Sequence, residues 1–463
     1  MLRIHDTATG TVRPLELRDE GRVSMYVCGP TVYDVPHLGH GRFSLVFDVL
    51  RRYLEFRGLE VHYVSNVTDI DDNIINRAAR EGRSEGEVAR QYEEVWWEAM
   101  DALGVKRPTE TPHATAFVAA MVELVAALVE GGVAYETGDG VYLSVDRIEG
   151  YGLLARQSLD SLRAGARVEP GEEKRSPLDF ALWKKARPGE PTWPSPWGPG
   201  RPGWHTECVV MSLGLLGEGF DLHGGGIDLA FPHHENERAQ AVGVGRPFAR
   251  HWVHNGWVVV EGEKMSKSLG NYTSLTDLLA GSDGRAYRLL VLRAHYRSPI
   301  EVNPGTIAQA EGALARLDDM ARRFGLGEDR TGVRADAVAG EVDADAVASF
   351  VARMDDDLDT PGALAEVFDL ARRAHQSADA GDDDTGRRLA TTVAVLCGAL
   401  GLRLSGAAPA VDEAAAALLS ERDRARAAGD YARADDIRRR LEDEGFVVED
   451  GPDGTRLHRR PGA

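Results

Sequence analysis

The chain has 463 residues, and its 54 Lys and Arg against 74 Asp and Glu give a net charge of -20. This acidic balance excludes a protein that coats nucleic acid through bulk positive charge, although it says little about one local patch. The length predicts roughly three or four domains. The start is polar, no apolar run is long enough to span a bilayer, and the three cysteines are scattered, so we expect a soluble, cytoplasmic protein with reduced thiols.

Buried strands and helices are predicted to alternate near the N terminus. The run GRVSMYVCG indicates a strand that ends at Cys28, and the apolar positions that follow have helical spacing as far as Gly58. A second strand is predicted in VHYVSNVTD and a second helix in IDDNIINRAAREG. This order indicates a parallel sheet, whose ligands gather at the carboxyl ends of the strands, where Cys28, Thr68 and Asp69 fall.

The pattern changes in the middle of the chain. A helix is predicted over residues 117–130 and a hairpin in GGVAYETGDGVYLSV, whereas proline and glycine predict an ordered loop without regular structure in RPGEPTWPSPWGPGRPGWH. The run HWVHNGWVVVEG returns to the parallel-sheet pattern. We therefore expect an insertion at residues 115–203 between two halves of one nucleotide-binding fold, at residues 1–114 and 204–274.

Beyond residue 275 the pattern is almost wholly helical. The polar stretch GEDRTGVRADAVAGEVDAD is expected to link two groups of helices, which gives divisions at residues 275–330 and 331–405. The remaining segment, residues 406–463, predicts a helical pair followed by a small hairpin.

The run HLGH places His37 and His40 between the first strand and the first helix. Free backbone N–H groups and the helix dipole favour phosphate at such a place, and two imidazoles can donate hydrogen bonds to a pentavalent phosphorus centre. A glycine turn with two surface histidines explains these four residues about as well.

A second run, KMSKS, contains Lys264 and Lys267 and follows the predicted strand WVVV. A mobile loop with two ammonium groups can close over a triphosphate and neutralise the charge that develops as pyrophosphate leaves. A charged loop is usually only a solvated loop, but six of the 54 basic residues are lysines, and two of them lie here. The scarcity of lysine therefore favours a functional loop.

Four residues of metal-ligating type point to one site. Cys28 ends a strand, Cys208 begins the apolar pattern TECVVMSLGLL, and His233 and Glu237 share one face of FPHHENE if that stretch is helical. Two thiolates, an imidazole and a carboxylate are an acceptable zinc set, and the order of His and Glu does not match the metalloprotease motif. Burial as a small hydrophobic residue is the alternative for any one cysteine, and we expect it for Cys397.

Other polar residues are expected near this site. His205, His223 and His234 are predicted to lie around the metal ligands or on the nucleotide side, with satisfied buried histidines as the alternative. The acidic run TDIDD is predicted to bind Mg²⁺, ribose or an ammonium group, or else to cap a helix through Thr68 or Asp69. Of its acids, Asp69 is expected to lie nearest the site.

These stretches together resemble the class I cysteinyl-tRNA synthetases over nearly the whole chain. The resemblance rests on MYVCGPTVYDVPHLGH, NVTDIDD, DFALWK, GPGRPGWHTEC, DLHGGGIDLAFPHHENE, KMSKSLGN, HYRSP and the ending YARADDIRRRLEDEGFVVEDGPDGTR. It implies an α/β Rossmann-type class I synthetase catalytic domain with an inserted connective domain, followed by an α-helical C-terminal half. In that half it implies a stem-contact region at 275–330, a helical bundle at 331–405 and an anticodon-binding domain at 406–463.

The resemblance also implies where the amino acid binds. One Zn²⁺ would be held by Cys28, Cys208, His233 and Glu237. The substrate thiolate would join it as an added ligand, and serine would be rejected because its hydroxyl is a harder ligand that resists deprotonation. The family places Gly29, Thr68 and Trp204 round the amino acid, with Trp204 as a wall, for which core packing is the alternative.

The implied reaction is the ATP-dependent ligation of L-cysteine to tRNA-Cys in two steps. The cysteine carboxylate attacks the α-phosphorus of ATP, which arrives with Mg²⁺, and gives cysteinyl-adenylate and pyrophosphate. The ribose 2′-OH at the end of the tRNA then attacks the carbonyl and releases AMP. Binding of ATP and stabilisation of the first transition state would fall to His37, His40, Lys264 and Lys267.

Two positions depart from the family pattern, since Asn73 stands where a lysine is expected and Pro194 where an acidic residue is expected. The tail is predicted to read the anticodon through Arg438–Arg440 and Arg456, with a solvated helix face as the alternative. The family's bacterial members make a monomer the expectation.

Two other functions stay open. A cysteine ligase of the mycothiol pathway resembles this catalytic core but ends without an anticodon-binding tail, whereas this chain continues through an arginine-containing segment. A non-catalytic tRNA-binding relative with a structural zinc would have a damaged HLGH or KMSKS, and both runs are intact.

Overall fold

The structure is a computed structural model that describes residues 1–159, 161–162, 173–260, 263–264, 273–327, 329–406, 413–444, 446–451 and 454–459. In chain order its strands are β1 (Arg3–Asp6), β2 (Thr11–Pro14), β3 (Arg22–Val27), β4 (Glu60–Ser65), β5 (Ala134–Glu136), β6 (Gly140–Leu143), β7 (Phe180–Lys185), β8 (Gly200–Pro202), β9 (Leu222–Gly226), β10 (His251–Asn255), β11 (Val258–Val260), β12 (Glu263–Lys264), β13 (Ile300–Glu301), β14 (Phe446–Gly451) and β15 (Gly454–Arg459). The α-helices are α1 (Leu38–Phe56), α2 (Asp72–Glu81), α3 (Glu85–Ala102), α4 (Val118–Glu130), α5 (Trp204–Leu216), α6 (Glu235–Gly243), α7 (Leu275–Gly281), α8 (Gly284–Leu292), α9 (Pro304–Phe324), α10 (Ala344–Asp355), α11 (Thr360–Asp379), α12 (Asp383–Ala399), α13 (Glu413–Ala427) and α14 (Tyr431–Asp443).

A four-stranded parallel sheet, in the order β10-β9-β3-β4, forms the centre of the fold. Five of the six residues of β3 are buried, as expected for a strand covered on both faces by helices. The two predicted halves of the nucleotide-binding fold meet where β3 pairs with β9, which confirms the predicted parallel sheet. Because the four strands run in one direction, their carboxyl ends share one edge of the sheet, where a ligand site is expected.

A separate antiparallel sheet, β5-β6-β7-β8, lies in the segment between β4 and β9. It confirms the predicted hairpin, but the prediction of a loop without regular structure is wrong at its end. Gly200–Pro202 form β8 beside β7, and Trp204 and His205 begin α5. A Cβ on Gly200 would lie 2.3 Å from the carbonyl oxygen of Lys184, and one on Gly203 would lie 1.9 Å from that of Ala181. Glycine here permits a close approach between backbones, so it favours the pairing that we expected it to prevent.

The predicted helical half is confirmed by helices α7 to α12, with the polar link lying between α9 and α10. The short strand β13, which pairs in parallel with β11, was not expected from the pattern. Arg288 of α8 and Asp48 of α1 join the helical half to the nucleotide-binding fold through a buried ion pair, in which guanidinium Nη1 lies 2.6 Å from the carboxylate. Cys397 is fully buried in α12, as predicted.

The predicted helical pair and hairpin of the tail are confirmed by α13, α14, β14 and β15. They have a small core of their own, formed by Ala415, Ile437, Leu441, Phe446, Val448 and Leu457. In the portion of the chain that the structure covers, no helix is long and apolar enough to cross a membrane.

Candidate metal centre and nucleotide cleft

Four candidate metal ligands converge at the carboxyl edge of the central sheet. Cys28 follows β3, Cys208 lies in α5, His233 lies in the turn just before α6, and Glu237 lies in the first turn of α6. The two sulfur atoms are 3.7 Å apart, and Cys208 Sγ is 3.6 Å from His233 Nε2. Glu237 Oε1 lies 3.4 Å from Cys28 Sγ and 3.1 Å from His233 Nε2. All four residues are buried, and their donor atoms lie within 4.8 Å of one another.

The stretch FPHHENE brings its two ligands together although it is not one regular helix. Residues Ala230–His234 form a π-helical turn with non-helical dihedral angles at Phe231, and α6 begins at Glu235. The spacing of four residues still places His233 and Glu237 on one face, in contact with each other, as predicted.

The spacing of the donors fits a tetrahedral zinc ion. Ligands at roughly 2.0–2.3 Å from such an ion lie roughly 3.3–3.8 Å from one another. The separations of 3.7, 3.6 and 3.4 Å fall in this range, and 3.1 Å lies just below it. Two thiols and an imidazole are soft or intermediate donors, which disfavour Mg²⁺ and Ca²⁺. The four donors are therefore compatible with a zinc ion in both spacing and chemistry.

Burial sets the protonation of these donors. Burial, followed by the contacts with Cys208 and Glu237, raises the pKa of Cys28 well above its ordinary value. The hydrogen bond from Cys28 lowers the pKa of Cys208, but burial and Glu237 outweigh it and leave that pKa raised. Burial lowers the pKa of His233 well below its ordinary value, so the imidazole is neutral, as a metal ligand must be. Two thiols beside a carboxylate need a cation before they ionise.

The three other predicted histidines surround the four ligands. His223 Nε2 lies 2.7 Å from Glu237 Oε2, and His205 Nδ1 lies 2.8 Å from His233 Nδ1, so each holds one ligand side chain. His234 Nδ1 instead lies 2.8 Å from His254 Nε2. Among the described residues, Nδ1 of His223 and Nε2 of His234 are buried without a hydrogen-bond partner.

His223 and His234 also form a second candidate group with Cys28 and Glu237. The first group has two thiols instead of one, which suits zinc better. Cys28, which belongs to both groups, lies on the wall of a large cavity.

Gly29 and Thr68 are placed by one residue that the sequence did not reveal, Asn66. Asn66 Oδ1 accepts hydrogen bonds from the backbone N–H of Gly29 at 2.9 Å and from the hydroxyl of Tyr26 at 3.1 Å, and its Nδ2 donates to Thr68 Oγ1 at 3.2 Å. A Cβ on Gly29 would lie 1.7 Å from the carbonyl oxygen of Asn66, so only glycine fits. Thr68 is buried and donates to Glu207 Oε2 at 2.8 Å, which places it behind the cavity wall.

Trp204 is 40% exposed, so it is not a core residue. Its ring centroid lies 4.0 Å from that of His233, and it lines a cavity of about 380 Å³. Cys28, Gly29, His37 and His40 line the same cavity. Trp257, another large exposed side chain on this wall, was not singled out by sequence reasoning; its position after the carboxyl end of β10 was the available signal.

His37 and His40 lie at the N terminus of α1, on the cavity wall. Each Nδ1 accepts a hydrogen bond from the other residue's backbone N–H, at 3.2 and 3.3 Å, and the rings stack with their centroids 3.6 Å apart. The helix dipole and both imidazoles are thus directed to one place, which is a favourable setting for a phosphate group. Both histidines line one cavity, which a glycine turn with two surface histidines would not require.

The second basic run is covered only in part. Lys267 lies outside the described residues, and for Lys264 the structure describes the backbone, which pairs with Val259 in the β11–β12 ladder.

The alternative prediction that Thr68 or Asp69 caps α2 is wrong. Asp71 caps the helix, since its Oδ1 accepts from the backbone N–H of Asn73 at 2.6 Å, whereas Thr68 and Asp69 do not. Asp69 accepts from both the backbone N–H and the hydroxyl of Thr115. Neither metal-ligating group among the described residues includes an acid of TDIDD. Thr115 lies in a short 3-10 helix, Ala114–Phe117, and Asp69, which is held by this contact, does not line the cavity.

In the tail, the candidate arginines differ in their contacts. Arg438 donates to Glu442 four residues later and to the carbonyl oxygen of Val448, so it helps to hold the tail together. The side chain of Arg439 is 71% exposed, and among the described residues its guanidinium lies 3.3 Å from a carboxylate oxygen of Asp436. The side chain of Arg456 lies outside the described residues.

Family models match most of the chain. The catalytic domain of tRNA synthetases class I (C) matches residues 14–312, the DALR domain matches 349–405, and the cysteinyl-tRNA ligase anticodon binding domain matches 408–458. Among solved structures, methionyl-tRNA synthetase of Mycobacterium tuberculosis in complex with methionyl-adenylate is 17% identical, with a TM-score of 0.57 over 82% of this chain and 89% of that chain. The LeuRS of Agrobacterium radiobacter, in its ternary complex, is 11% identical, with a TM-score of 0.60 over 84% and 85%. These likenesses show the fold, and with the family models they define a class I aminoacyl-tRNA synthetase.

Curated relatives extend over the whole chain. The cysteine–tRNA ligase of Alkalilimnicola ehrlichii is 46% identical over 472 residues, covering 99% of this chain and 100% of the relative. That of Moorella thermoacetica is 45% identical over 474 residues, covering 98% and 99%. The chain belongs to the cysteine–tRNA ligase family, which confirms the resemblance and makes the chain an aminoacyl-tRNA ligase. The matched anticodon-binding domain favours this function over the amino-sugar ligase.

Proposed function

We propose that the chain joins L-cysteine to tRNA-Cys at the expense of ATP, with one Zn²⁺ held by Cys28, Cys208, His233 and Glu237. One observation carries the proposal. The cavity that begins at Cys28 continues along His37 and His40, so an end that selects a thiol is joined to an end that favours phosphate.

At the amino-acid end, the bound zinc would supply a Lewis acid that prefers a thiolate to the harder hydroxyl of serine. The chain's own residues shape the space around it. Gly29 has no side chain, which lets its backbone pack against the carbonyl oxygen of Asn66, and its N–H donates to Asn66 Oδ1. Thr68 supports this wall from behind, and the ring of Trp204 closes it beside His233.

At the nucleotide end, the first step is an attack of the cysteine carboxylate on the α-phosphorus of ATP, with pyrophosphate as the leaving group. His37 and His40 stabilise the charge on the phosphoryl oxygens from the N terminus of α1. Lys264 and Lys267 neutralise the departing pyrophosphate, which Mg²⁺ accompanies.

In the second step the ribose 2′-OH at the end of tRNA-Cys attacks the carbonyl carbon of the adenylate, and AMP leaves. The C-terminal domains hold the tRNA, and Arg439 is the proposed phosphate contact because its side chain is the more exposed. We keep the divisions at 1–114, 115–203, 204–274, 275–330, 331–405 and 406–463 as proposals, together with a cytoplasmic monomer.

The test is ATP-dependent charging of a tRNA-Cys transcript with labelled cysteine, run against excess serine and repeated for Cys208→Ala and Cys397→Ala. The proposal requires charging that ignores serine, collapses in Cys208→Ala and persists in Cys397→Ala, whose thiol is buried in α12. Cysteine-dependent pyrophosphate exchange without charging would support the adenylate chemistry but contradict tRNA as the acceptor. An amino-sugar ligase would then be the favoured function.

A further inference from the structure

The acidic run DDDLD, residues 355–359, has no part in the proposed reaction, yet it contains an unusual turn. Asp357 and Leu358, between α10 and α11, both have φ of 56° and are buried. Residues with a Cβ rarely adopt this left-handed conformation, and it persists where the surrounding contacts fix it. The contacts that hold Asp357 in this conformation are therefore of interest.

The carboxylate of Asp357 holds two distant segments. It accepts hydrogen bonds from the backbone N–H of His5 at 2.8 Å, from the hydroxyl of Tyr296 at 2.8 Å and from Nε of Arg297 at 2.9 Å. Tyr296 and Arg297 belong to the run HYRSP, residues 295–299, between α8 and β13. The helical half thus fixes a segment that leads back to the strands of the nucleotide-binding fold.

That segment lies directly against the cavity wall. The carbonyl oxygen of Tyr296 accepts from the backbone N–H of Gly256 at 2.8 Å, and Gly256 and Trp257 both line the cavity. A Cβ on Gly256 would lie 2.5 Å from the carbonyl oxygen of Arg297, so the two backbones touch without a gap. A movement of the segment must therefore move this wall.

Arg42 connects the same segment to α1, the helix that carries His40. It lies in α1, two residues after His40, and its guanidinium is buried. It donates to the carbonyl oxygens of Trp257, Tyr296 and Ser298. A single side chain thus links the helix that carries His40 to the backbone that carries Trp257.

We propose that Asp357 is a positioning residue for the nucleotide. By fixing Tyr296 and Arg297, it sets the distance between Trp257 and His40 across the cavity, although it does not touch the substrate. This inference rests on the proposed function, because it takes the cavity to bind ATP. None of the four candidate metal ligands takes part in these contacts, so we expect ATP binding to depend on Asp357 more strongly than cysteine binding does.

The test is cysteine-dependent ATP–pyrophosphate exchange on Asp357→Asn, with KM measured separately for ATP and for cysteine. Coupling through a packed network predicts that KM for ATP rises about three- to tenfold while KM for cysteine stays within about twofold. The matched control is Asp356→Asn, which makes the same charge change one residue away. Asp356 is exposed, and its carboxylate has no hydrogen bond among the described residues.

A second control separates positioning from general loosening of the helical half. Asp355 also ties that half to α1, through the hydroxyl of Tyr53 and the guanidinium of Arg57, both at 2.7 Å, but away from the cavity. Asp355→Asn is expected to lower stability without raising KM for ATP. If Asp357→Asn does not fold, Tyr296→Phe removes the hydroxyl that donates to Asp357 and is expected to raise KM for ATP about two- to threefold.

The outcomes distinguish this inference from the function on which it rests. A parent protein without cysteine-dependent exchange would overturn both. An active parent with unchanged KM for ATP in Asp357→Asn would overturn the positioning role alone. An equal rise in Asp355→Asn, or equal rises in KM for ATP and cysteine, would also overturn it.

Discussion

Replacement of Cys208 by alanine is expected to remove one of four donors from the metal centre and leave the fold in place. The lost sulfur lies 3.7 Å from Cys28 Sγ and 3.6 Å from His233 Nε2, and the alanine leaves the other three donors where they are. Structural zinc sites bind with about 10–16 kcal/mol, so an equal share of four donors is about 2.5–4 kcal/mol each. Zinc affinity should therefore fall by about two to three orders of magnitude.

The assay is a zinc titration against a chromophoric chelator, which reads metal affinity independently of catalysis. The matched control is Cys397→Ala, which removes a fully buried thiol far from the cluster and should leave zinc affinity unchanged while lowering stability by about 1 kcal/mol. A Cys208→Ala protein that keeps zinc within about tenfold of the parent affinity would refute the four-ligand centre. Equal losses in both variants would show that unfolding, and not a missing ligand, was measured.

Three further predictions concern other parts of the chain. Asp48→Asn should lower the free energy of unfolding by about 3–5 kcal/mol in denaturant titrations, because it leaves the buried guanidinium of Arg288 without its carboxylate partner. Burial raises the pKa of Asp48, but the charges of Arg288 and Arg52 outweigh burial, so the pKa is lower than its ordinary value. In acid titrations of the parent protein, the stabilisation from this ion pair should therefore be complete above about pH 4 and be lost as the pH falls further. Gly29→Ala should abolish cysteine-dependent pyrophosphate exchange, because its Cβ would lie 1.7 Å from the carbonyl oxygen of Asn66; normal exchange would contradict the pocket. Arg439→Glu should weaken tRNA binding about tenfold in filter-binding assays while pyrophosphate exchange persists, and an unchanged affinity would leave the helix face merely solvated.

The sequence alone was sufficient for the elements whose pattern is local. Apolar runs and helical spacing predicted β3, α1, the hairpin of β5 and β6 and the helical half, because each depends on a periodicity within a few residues. The donor set was also recognisable, since two cysteines and the His233–Glu237 pair have the residue types that zinc requires. Their roles as ligands remain a proposal.

Only the tertiary structure decided which polar groups meet. The sequence gives no sign that Asn66 of NVTDIDD bonds to Gly29 and Thr68, which the fold brings to it. Likewise, Glu207 accepts a hydrogen bond from Thr68, which is 139 residues away in the chain. Asp357 was one acid in an acidic run until packing set it against His5, 352 residues earlier in the chain. Burial of a polar group is satisfied by whichever partner the fold brings near, and sequence periodicity carries no record of that partner.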